Sequence, residues 1–189
     1  PQMDGRVLPV ISNIIVTRKL NENELSAHNF KTFSPIANTK NILYYYRKLP
    51  DNRILFGTRG DLTGSDQSNL AMSVKMEKFL KDIFPKWSNV SIDYNWRGLI
   101  ALSQKLTPSI GKIDNEEIYY GFGYNGVGVS AAPWTGKQLS KLVFSSNSKE
   151  LDISKIYKGL PKKFVFPQLR TFYFRLAVWF YAIKDKLNI

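Results

Sequence analysis

The sequence predicts an α/β (α+β) fold: a mixed, mostly antiparallel sheet covered by a helix, then a strand–loop–helix unit and a C-terminal helix. Three observations predict this class. Two extended segments are joined by a short turn, an amphipathic segment with helical spacing follows them, and a later strand runs directly into a glycine-rich stretch and another helix. A hairpin implies antiparallel pairing, whereas the strand–glycine–helix order is typical of an α/β ligand-binding unit.

The first half begins with strand-forming segments. Residues 7–17 (VLPVISNIIVT) are β-branched and apolar and predict one or two strands. Residues 20–36 are polar, and we expect a loop there. Residues 41–48 (NILYYYRK) and 53–57 (RILFG) predict a hairpin, because the Pro-Asp-Asn sequence at 50–52 is typical of a turn.

A helix is predicted over residues 69–84. Asp66 and Ser68 are the two candidates for its N-cap, and Pro85 ends it. Its apolar residues recur at helical spacing and therefore share one face, which we expect to cover the sheet: Met72, Met76, Phe79, Leu80 and Ile83.

The second half starts with three further strands. Residues 90–96 (VSIDYNW) alternate in polarity and predict a strand, and a separate strand is expected at residues 99–102. Residues 117–120 (EIYY) predict a strand that leads straight into glycines.

Two helices are predicted toward the C-terminus. The first covers residues 135–144, with Leu139 and either Leu142 or Val143 inward, and a polar break follows at 145–149. Residues 159–167 carry two prolines and predict an extended connection to a final aromatic helix over 170–187. The apolar run of that helix is too short to span a bilayer. Core or interface packing is one interpretation of it, and lying flat on a membrane beside its basic residues is the other.

Composition narrows the function classes. The chain has 27 Lys and Arg against 15 Asp and Glu, yet the lysines are scattered and no nucleic-acid-binding module is recognisable, so we expect no nucleic-acid partner. The absence of cysteine excludes disulfides and thiolate chemistry and fits a reducing, cytoplasmic compartment. The single histidine, His28, lies in a polar stretch where we expect a solvated side chain, so histidine metal sites and triads are not expected.

The most informative segment is 118–136 (IYYGFGYNGVGVSAAPWTG). Gly121, Gly123 and Gly126 spell G-x-G-x-x-G, and a following helix N-terminus offers main-chain N–H groups to an electron-rich ligand. A dinucleotide-binding turn is one interpretation, although the next strand is poor and Pro133 and Trp134 interrupt the helix start. A tight turn without a ligand is the other.

The context of these glycines resembles a known family. Residues 96–111 (WRGLIALSQKLTPSIG) carry a Trp-x-Gly segment and a Pro-x-Ile-Gly turn, and a Gly-Tyr-Asn-Gly-x-Gly-Val loop follows within 118–136. Residues 6–17, 44–60 and 160–170 resemble further pieces in the same order. The chain is similar to the C-terminal portion of FAD-dependent oxidoreductases of the D-amino-acid oxidase and sarcosine oxidase superfamily, in the gamma-glutamylputrescine-oxidase-like branch.

The resemblance implies FAD as cofactor, with ring-side contacts only. In the family the matching loop presents main-chain N–H groups to the flavin near N1 and the C2 carbonyl, which implies these cofactor-binding residues: Gly123, Tyr124, Asn125, Gly126, Val127, Gly128 and Val129. The ADP half is held by an N-terminal dinucleotide fold, and no such unit precedes residue 7. We therefore expect the chain to be a piece that needs an N-terminal half or partner subunit.

The resemblance also implies oxidation of the C–N bond of an amine or amino acid to an imine. Val127 stands where the family has a histidine, and Ile100 stands where amino-acid-oxidising branches have a carboxylate-binding arginine, so an amine substrate is favoured. Tyr44, Tyr46 and Arg47 are candidate substrate contacts, although a solvated strand arginine is the alternative for Arg47. No catalytic residue is assigned, and no metal is expected.

The predicted division is a substrate-binding sheet and helix over 1–95, the C-terminal part of an FAD-binding domain over 96–148, and a basic aromatic extension over 149–189. Two rival functions remain open. One is a non-catalytic docking module derived from such an enzyme and acting through the basic C-terminus, including contact with a membrane surface. The other is an independent dinucleotide-binding protein, which requires a parallel sheet that continues after Phe144.

Overall fold

The computed structural model describes residues 2–61, 63–144 and 152–187. The chain forms two compact units. One comprises Pro1–Pro9 with Ile100–Phe174, and the other comprises Val10–Leu99 with Arg175–Ile189. The three-part division made from the sequence concerns functional role rather than compactness, and it stays a prediction.

The unit that contains Val10–Leu99 is built on a five-stranded sheet in the order β2-β3-β4-β1-β5. Its strands are β1 (Val7–Thr17), β2 (Ile36–Ala37), β3 (Tyr44–Lys48), β4 (Ile54–Asp61) and β5 (Ile92–Ser103). The β2–β3, β3–β4 and β4–β1 pairs are antiparallel, which confirms the predicted hairpin and sheet. Asn52, with φ +65°, closes the turn between β3 and β4.

Helix α2 (Asp66–Ile83) covers one face of this sheet. Met72, Met76 and Leu80 are its buried residues, and they pack with Ile15, Phe56 and Trp87 in one apolar cluster. The predicted helix is confirmed, but its cap is neither Asp66 nor Ser68. Ser65 caps it by accepting the N–H of Ser68, which leaves Ser68 free to donate its hydroxyl to Asp61 at 2.6 Å.

A short helix, α1 (Glu22–Ala27), lies where the sequence predicts a loop. A capping box nucleates it: the Asn21 side chain accepts the N–H of Glu24, and the Glu24 carboxylate accepts the N–H of Asn21. His28 ends α1 and is partly exposed, but its side chain also has contacts within the protein. Its Nε2 accepts the N–H of Lys86 at 3.1 Å and its ring packs edge-on against Trp87, so its role is structural.

The other unit contains a two-stranded antiparallel sheet of β6 (Ser109–Lys112) and β7 (Tyr119–Phe122), followed by α3 (Gly128–Phe144). The predicted Pro-x-Ile-Gly turn is therefore a strand in part. Helix α3 begins seven residues earlier than predicted, with Pro133 inside it. Pro133 cannot donate to the carbonyl of Val129, but Val129 is 97% exposed and water can replace that donor.

The two strands predicted at 90–96 and 99–102 are one continuous strand, β5. The final helix α4 (Arg170–Leu187) is confirmed with the bounds predicted for it, and residues 145–149, predicted as a polar break, lie outside the described residues. The independent dinucleotide fold predicts a strand after Phe144. Residues 152–187 form 3₁₀ turns, an extended connection and α4, so this interpretation is wrong for the part of that segment which the structure describes.

Candidate functional site

The site is framed by close packing of β7 against α3. A Cβ placed on Gly121 would lie closer than 3.0 Å to Cγ2 of Thr135 and 3.1 Å from Cδ1 of Leu139. A glycine is therefore required where the strand and helix approach most closely, and Thr135 is buried beneath it. This packing fixes where the N-terminus of α3 lies relative to the end of β7.

The loop between β7 and α3 has an unusual backbone. Gly123, Asn125 and Gly126 have φ values of +74°, +53° and +95°. Glycine and asparagine are the residues that adopt this left-handed region most readily, so the sequence allows a conformation that other side chains resist.

Asn125 ties this loop to the end of β5. Its Oδ1 accepts the N–H of Ser103 at 2.8 Å, and its own N–H donates to the carbonyl of Ala101 at 3.3 Å. Its Nδ2 also donates to the carbonyl of Gly123. Because Ser103 is buried, this carboxamide satisfies a main-chain donor that has no access to water.

The loop leaves several main-chain donors unpaired. Val127 donates its N–H to the Tyr124 carbonyl at 2.9 Å, whereas the N–H groups of Gly126, Gly128 and Val129 have no partner in the part of the chain that the structure describes. No acidic residue lies in the first turn of α3, and both Val127 and Val129 are exposed. The helix dipole adds positive potential at this end, so an electron-rich acceptor fits here.

These observations place all seven predicted cofactor-binding residues in one continuous loop and helix start. Gly126, Val127 and Val129 are exposed to solvent, whereas Gly123 is buried and the other three residues are half-buried. Its role toward a flavin stays a prediction. Within the described residues no group of His, Cys, Asp or Glu forms a metal site.

The predicted substrate contacts do not share one face of the sheet. The Tyr44 ring lies 4.7 Å from that of Phe79, and the Tyr46 ring 5.4 Å from that of Phe84, both on the side of α2. Arg47 is exposed, and strand alternation directs it to the opposite face. Tyr44 and Tyr46 line a pocket of about 460 Å³ with six other residues: Ala37, Asn38, Lys40, Phe79, Asp82 and Ile83.

Tyr44 is a poor candidate for proton transfer. Burial of its hydroxyl and, to a lesser extent, the nearby charge of Asp185 raise its pKa. The phenol therefore keeps its proton at neutral pH.

Tyr45 is a residue of interest that sequence reasoning missed. Its hydroxyl lies 3.1 Å from that of Ser12 on β1, and its ring crosses Gly57, where a Cβ would overlap the ring. Tyr45 and Arg47 share the sheet face that α2 does not cover. Two features of the sequence could have identified Tyr45. Side chains alternate between the two sheet faces along the Tyr44–Tyr46 triplet, and a glycine, Gly57, pairs with its middle residue.

Several solved structures with this architecture are oxidases. Glycine oxidase from Geobacillus kaustophilus superposes with a TM-score of 0.61 at 15% identity, over 87% of this chain and 41% of that one. Fructosyl peptide oxidase from E. terrenum superposes with a TM-score of 0.64 at 10% identity, over 90% of this chain and 43% of that one. Iminodiacetate oxidase from Chelativorans sp. BNC1 superposes with a TM-score of 0.59 at 17% identity, over 85% of this chain and 42% of that one. The chain thus shares the fold of the corresponding part of these enzymes.

Sequence comparison gives the family. The family model for FAD dependent oxidoreductases (DAO) matches residues 1–142, and the chain belongs to that family. Gamma-glutamylputrescine oxidoreductase of Escherichia coli (strain K12) is 28% identical over 192 residues, covering 100% of this chain and 43% of that protein. Probable oxidoreductase OrdL of Haemophilus influenzae is 28% identical over 189 residues, covering 97% and 40%. The chain spans less than half the length of these relatives.

Proposed function

We propose that this chain supplies the substrate-binding sheet and the flavin-ring contacts of an FAD-dependent oxidoreductase that oxidises the C–N bond of an amine to an imine. The observation that carries the proposal is the set of unpaired N–H groups on Gly126, Gly128 and Val129 at the positive end of α3. Family membership supports FAD as the ligand of this loop, because the family is FAD-dependent.

The loop suits the pyrimidine side of a flavin. The bound flavin would accept a hydride from the amine carbon while the nitrogen loses a proton, so that the C–N single bond becomes an imine. The unpaired N–H groups of Gly126, Gly128 and Val129 would donate to the electron-rich edge of the bound ring, where negative charge accumulates on reduction. Donors that the fold already holds in place need no reorganisation during the reaction.

Two positions in the sequence favour an amine over a simple amino acid. Ile100 offers no cation to a substrate carboxylate, and Val127 offers no imidazole to the flavin or substrate. On the sheet face that α2 does not cover, β3 carries two polar side chains. They are Tyr45, whose hydroxyl contacts that of Ser12, and the exposed Arg47. We assign them to substrate contact and leave Tyr44 and Tyr46 to the pocket beside α2.

The proposal includes a dinucleotide-binding half that lies outside these 189 residues and holds the ADP part of FAD. Alone, the chain should bind FAD weakly and turn over no amine. Mixing it with the N-terminal half of a gamma-glutamylputrescine oxidoreductase should restore amine-dependent bleaching of the flavin absorbance. Submicromolar FAD affinity of the isolated chain would contradict the incomplete site.

A non-catalytic docking module is the second candidate, and the exposed aromatic face of α4 favours it. The same reconstitution separates the two functions. Flavin reduction by an amine supports the enzyme. A stable complex of the two halves that binds FAD but is not reduced by any amine tested supports the docking module.

A further inference from the structure

Helix α4 carries an exposed apolar stripe that the proposed oxidation does not use. Within residues 175–187 large apolar side chains recur every three or four residues and so share one face. Trp179 is 66% exposed, and each other member of the stripe is exposed too: Leu176, Phe180, Ile183 and Leu187. No residue of α4 is fully buried. An exposed stripe of this size on a regular helix marks an interaction surface.

The C-terminal end of this helix is held in place by Asp185. Its carboxylate accepts the main-chain N–H groups of Asn41 at 2.9 Å and Ile42 at 2.8 Å, and the side-chain amide of Asn41 at 2.9 Å. Burial alone would raise the pKa of Asp185, but these hydrogen bonds and the charge of Lys40 lower it overall. The orientation of the stripe relative to the β3 end of its own unit is therefore fixed.

The charges beside the stripe are basic. Residues 175–187 contain Arg175, Lys184 and Lys186, and Asp185 is their single acidic residue. The Asp185 carboxylate already accepts hydrogen bonds from the loop before β3. Lys40 of the same loop donates to the Asp185 main-chain carbonyl at 3.4 Å. The Lys184 ammonium lies 5.9 Å from the centre of the Phe180 ring, so this cation borders the apolar stripe.

This combination fits an anionic lipid surface better than a protein partner. Lysine is depleted from protein–protein interface cores, whereas negatively charged headgroups attract it. Tryptophan is favoured at the boundary between headgroups and acyl chains. None of the described helices is long and apolar enough to cross a membrane.

We propose that the stripe of Leu176, Trp179, Phe180, Ile183 and Leu187 inserts into the headgroup boundary of an anionic bilayer while Arg175, Lys184 and Lys186 contact the headgroups. This attachment is independent of FAD and of the amine. It would hold this part of the protein at a membrane surface.

The test is co-sedimentation of the 189-residue chain with sucrose-loaded vesicles. Vesicles of phosphatidylcholine with one quarter phosphatidylglycerol should retain the chain, and retention should fall as salt is added and on pure phosphatidylcholine. Leu176→Ser with Trp179→Ser should lower the partition coefficient at least about tenfold, because two apolar side chains no longer insert. The matched control is Leu70→Ser with Val74→Ser, which removes two exposed apolar residues from α2 and should bind as the unmodified chain does.

A second measurement does not depend on the folding of that double variant. The chain has no cysteine, so Ile183→Cys provides a unique site for a polarity-sensitive fluorophore, with Leu70→Cys as its control. Anionic vesicles should shift the emission to the blue at position 183 but not at position 70. Lack of vesicle binding, equal binding by the α4 double variant, or a dimer that the same double variant dissolves would each overturn the proposal.

Discussion

The side chain of Asn125 accepts the main-chain N–H of Ser103 at 2.8 Å, and this bond joins the loop after β7 to the end of β5. The same residue has φ +53° and sits between two glycines that are also left-handed. One asparagine thus satisfies a buried donor and supports the conformation that leaves Gly126, Gly128 and Val129 unpaired.

The loss of stability on substituting Asn125 should depend on which of these two roles the new residue keeps. Asn125→Ala loses the acceptor for Ser103 and puts alanine, which tolerates the left-handed region less well than asparagine, at this position, so we expect a loss of about 1–3 kcal/mol in the free energy of unfolding. Asn125→Gly keeps the backbone freedom and should lose less, and Asn125→Asp keeps the acceptor for Ser103 and should also lose less than alanine, although its second carboxylate oxygen faces the Gly123 carbonyl. Urea titration of the three variants checks this order. Equal stability of all three would show that the bond to Ser103 contributes nothing.

Gly121 and Gly136 form a matched pair for the packing of α3. Gly121→Ala forces a Cβ against Thr135 and should destabilise the protein by about 1–3 kcal/mol through displacement of the helix from β7. Gly136→Ala meets nothing within 4 Å and should be neutral or stabilise by up to about 1 kcal/mol, because alanine favours helix. Thermal unfolding followed by circular dichroism compares them. A neutral Gly121→Ala would refute the close approach.

The contact between Tyr45 and Gly57 should appear as energetic coupling. Gly57→Ala places a methyl group in the Tyr45 ring and should cost about 1–3 kcal/mol. In a Tyr45→Ala background that cost should vanish, since alanine is at least as favourable as glycine within a strand. A double-mutant cycle in urea measures the coupling free energy. Additive effects of the two substitutions would place the Tyr45 ring away from Gly57.

Acid stability should depend on the ion pair between Arg18 and Glu24. The hydrogen bond from Arg18, then that from the Asn21 N–H, hold the pKa of Glu24 at about 2, against an ordinary value of 4.5. Above pH 4.5 this carboxylate is charged in both the folded and unfolded states, and its stabilisation is complete. As pH falls toward 2 the unfolded chain binds the proton first, so stability is lost through this window.

Glu24→Gln should therefore flatten the pH dependence of the free energy of unfolding between pH 4.5 and 2 by up to about one proton. Arg18→Gln should flatten it less, because the Asn21 N–H still lowers the pKa of Glu24, and the two changes together should do no more than Glu24→Gln alone. Urea titrations at a series of pH values measure this. An unchanged slope in Glu24→Gln would contradict the assignment.

Local chemistry in the sequence was sufficient to predict the hairpin around Asn52, the apolar face of α2 and the bounds of α4. Helix α1 was missed because a capping box of two residues, Asn21 and Glu24, outweighs the polarity of its segment. The sequence predicts the start of α3 too late because proline is typical of a helix boundary, although solvent can satisfy the carbonyl that Pro133 leaves free.

The candidate site was predictable only where its residues are consecutive. The loop at 123–129 has a sequence signature, whereas the tether to Ser103 joins residues 22 positions apart and depends on where β5 ends. Tyr44, Tyr46 and Arg47 were grouped by proximity in sequence, but strand alternation sends Arg47 to the opposite face, with Tyr45. Neighbouring residues of a strand point to opposite faces of the sheet, so adjacency in sequence does not put side chains in one site.

The central claim is that the main-chain N–H groups of Gly126, Gly128 and Val129 face a flavin ring. Titration of the ¹⁵N-labelled chain with FMN, followed by amide chemical shifts, tests it most directly because the method detects weak binding residue by residue. We predict weak binding with the largest shifts at these three amides and smaller ones at Ser103. Shifts confined to the pocket of Tyr44 and Phe79, or no shifts at saturating FMN, would contradict the account.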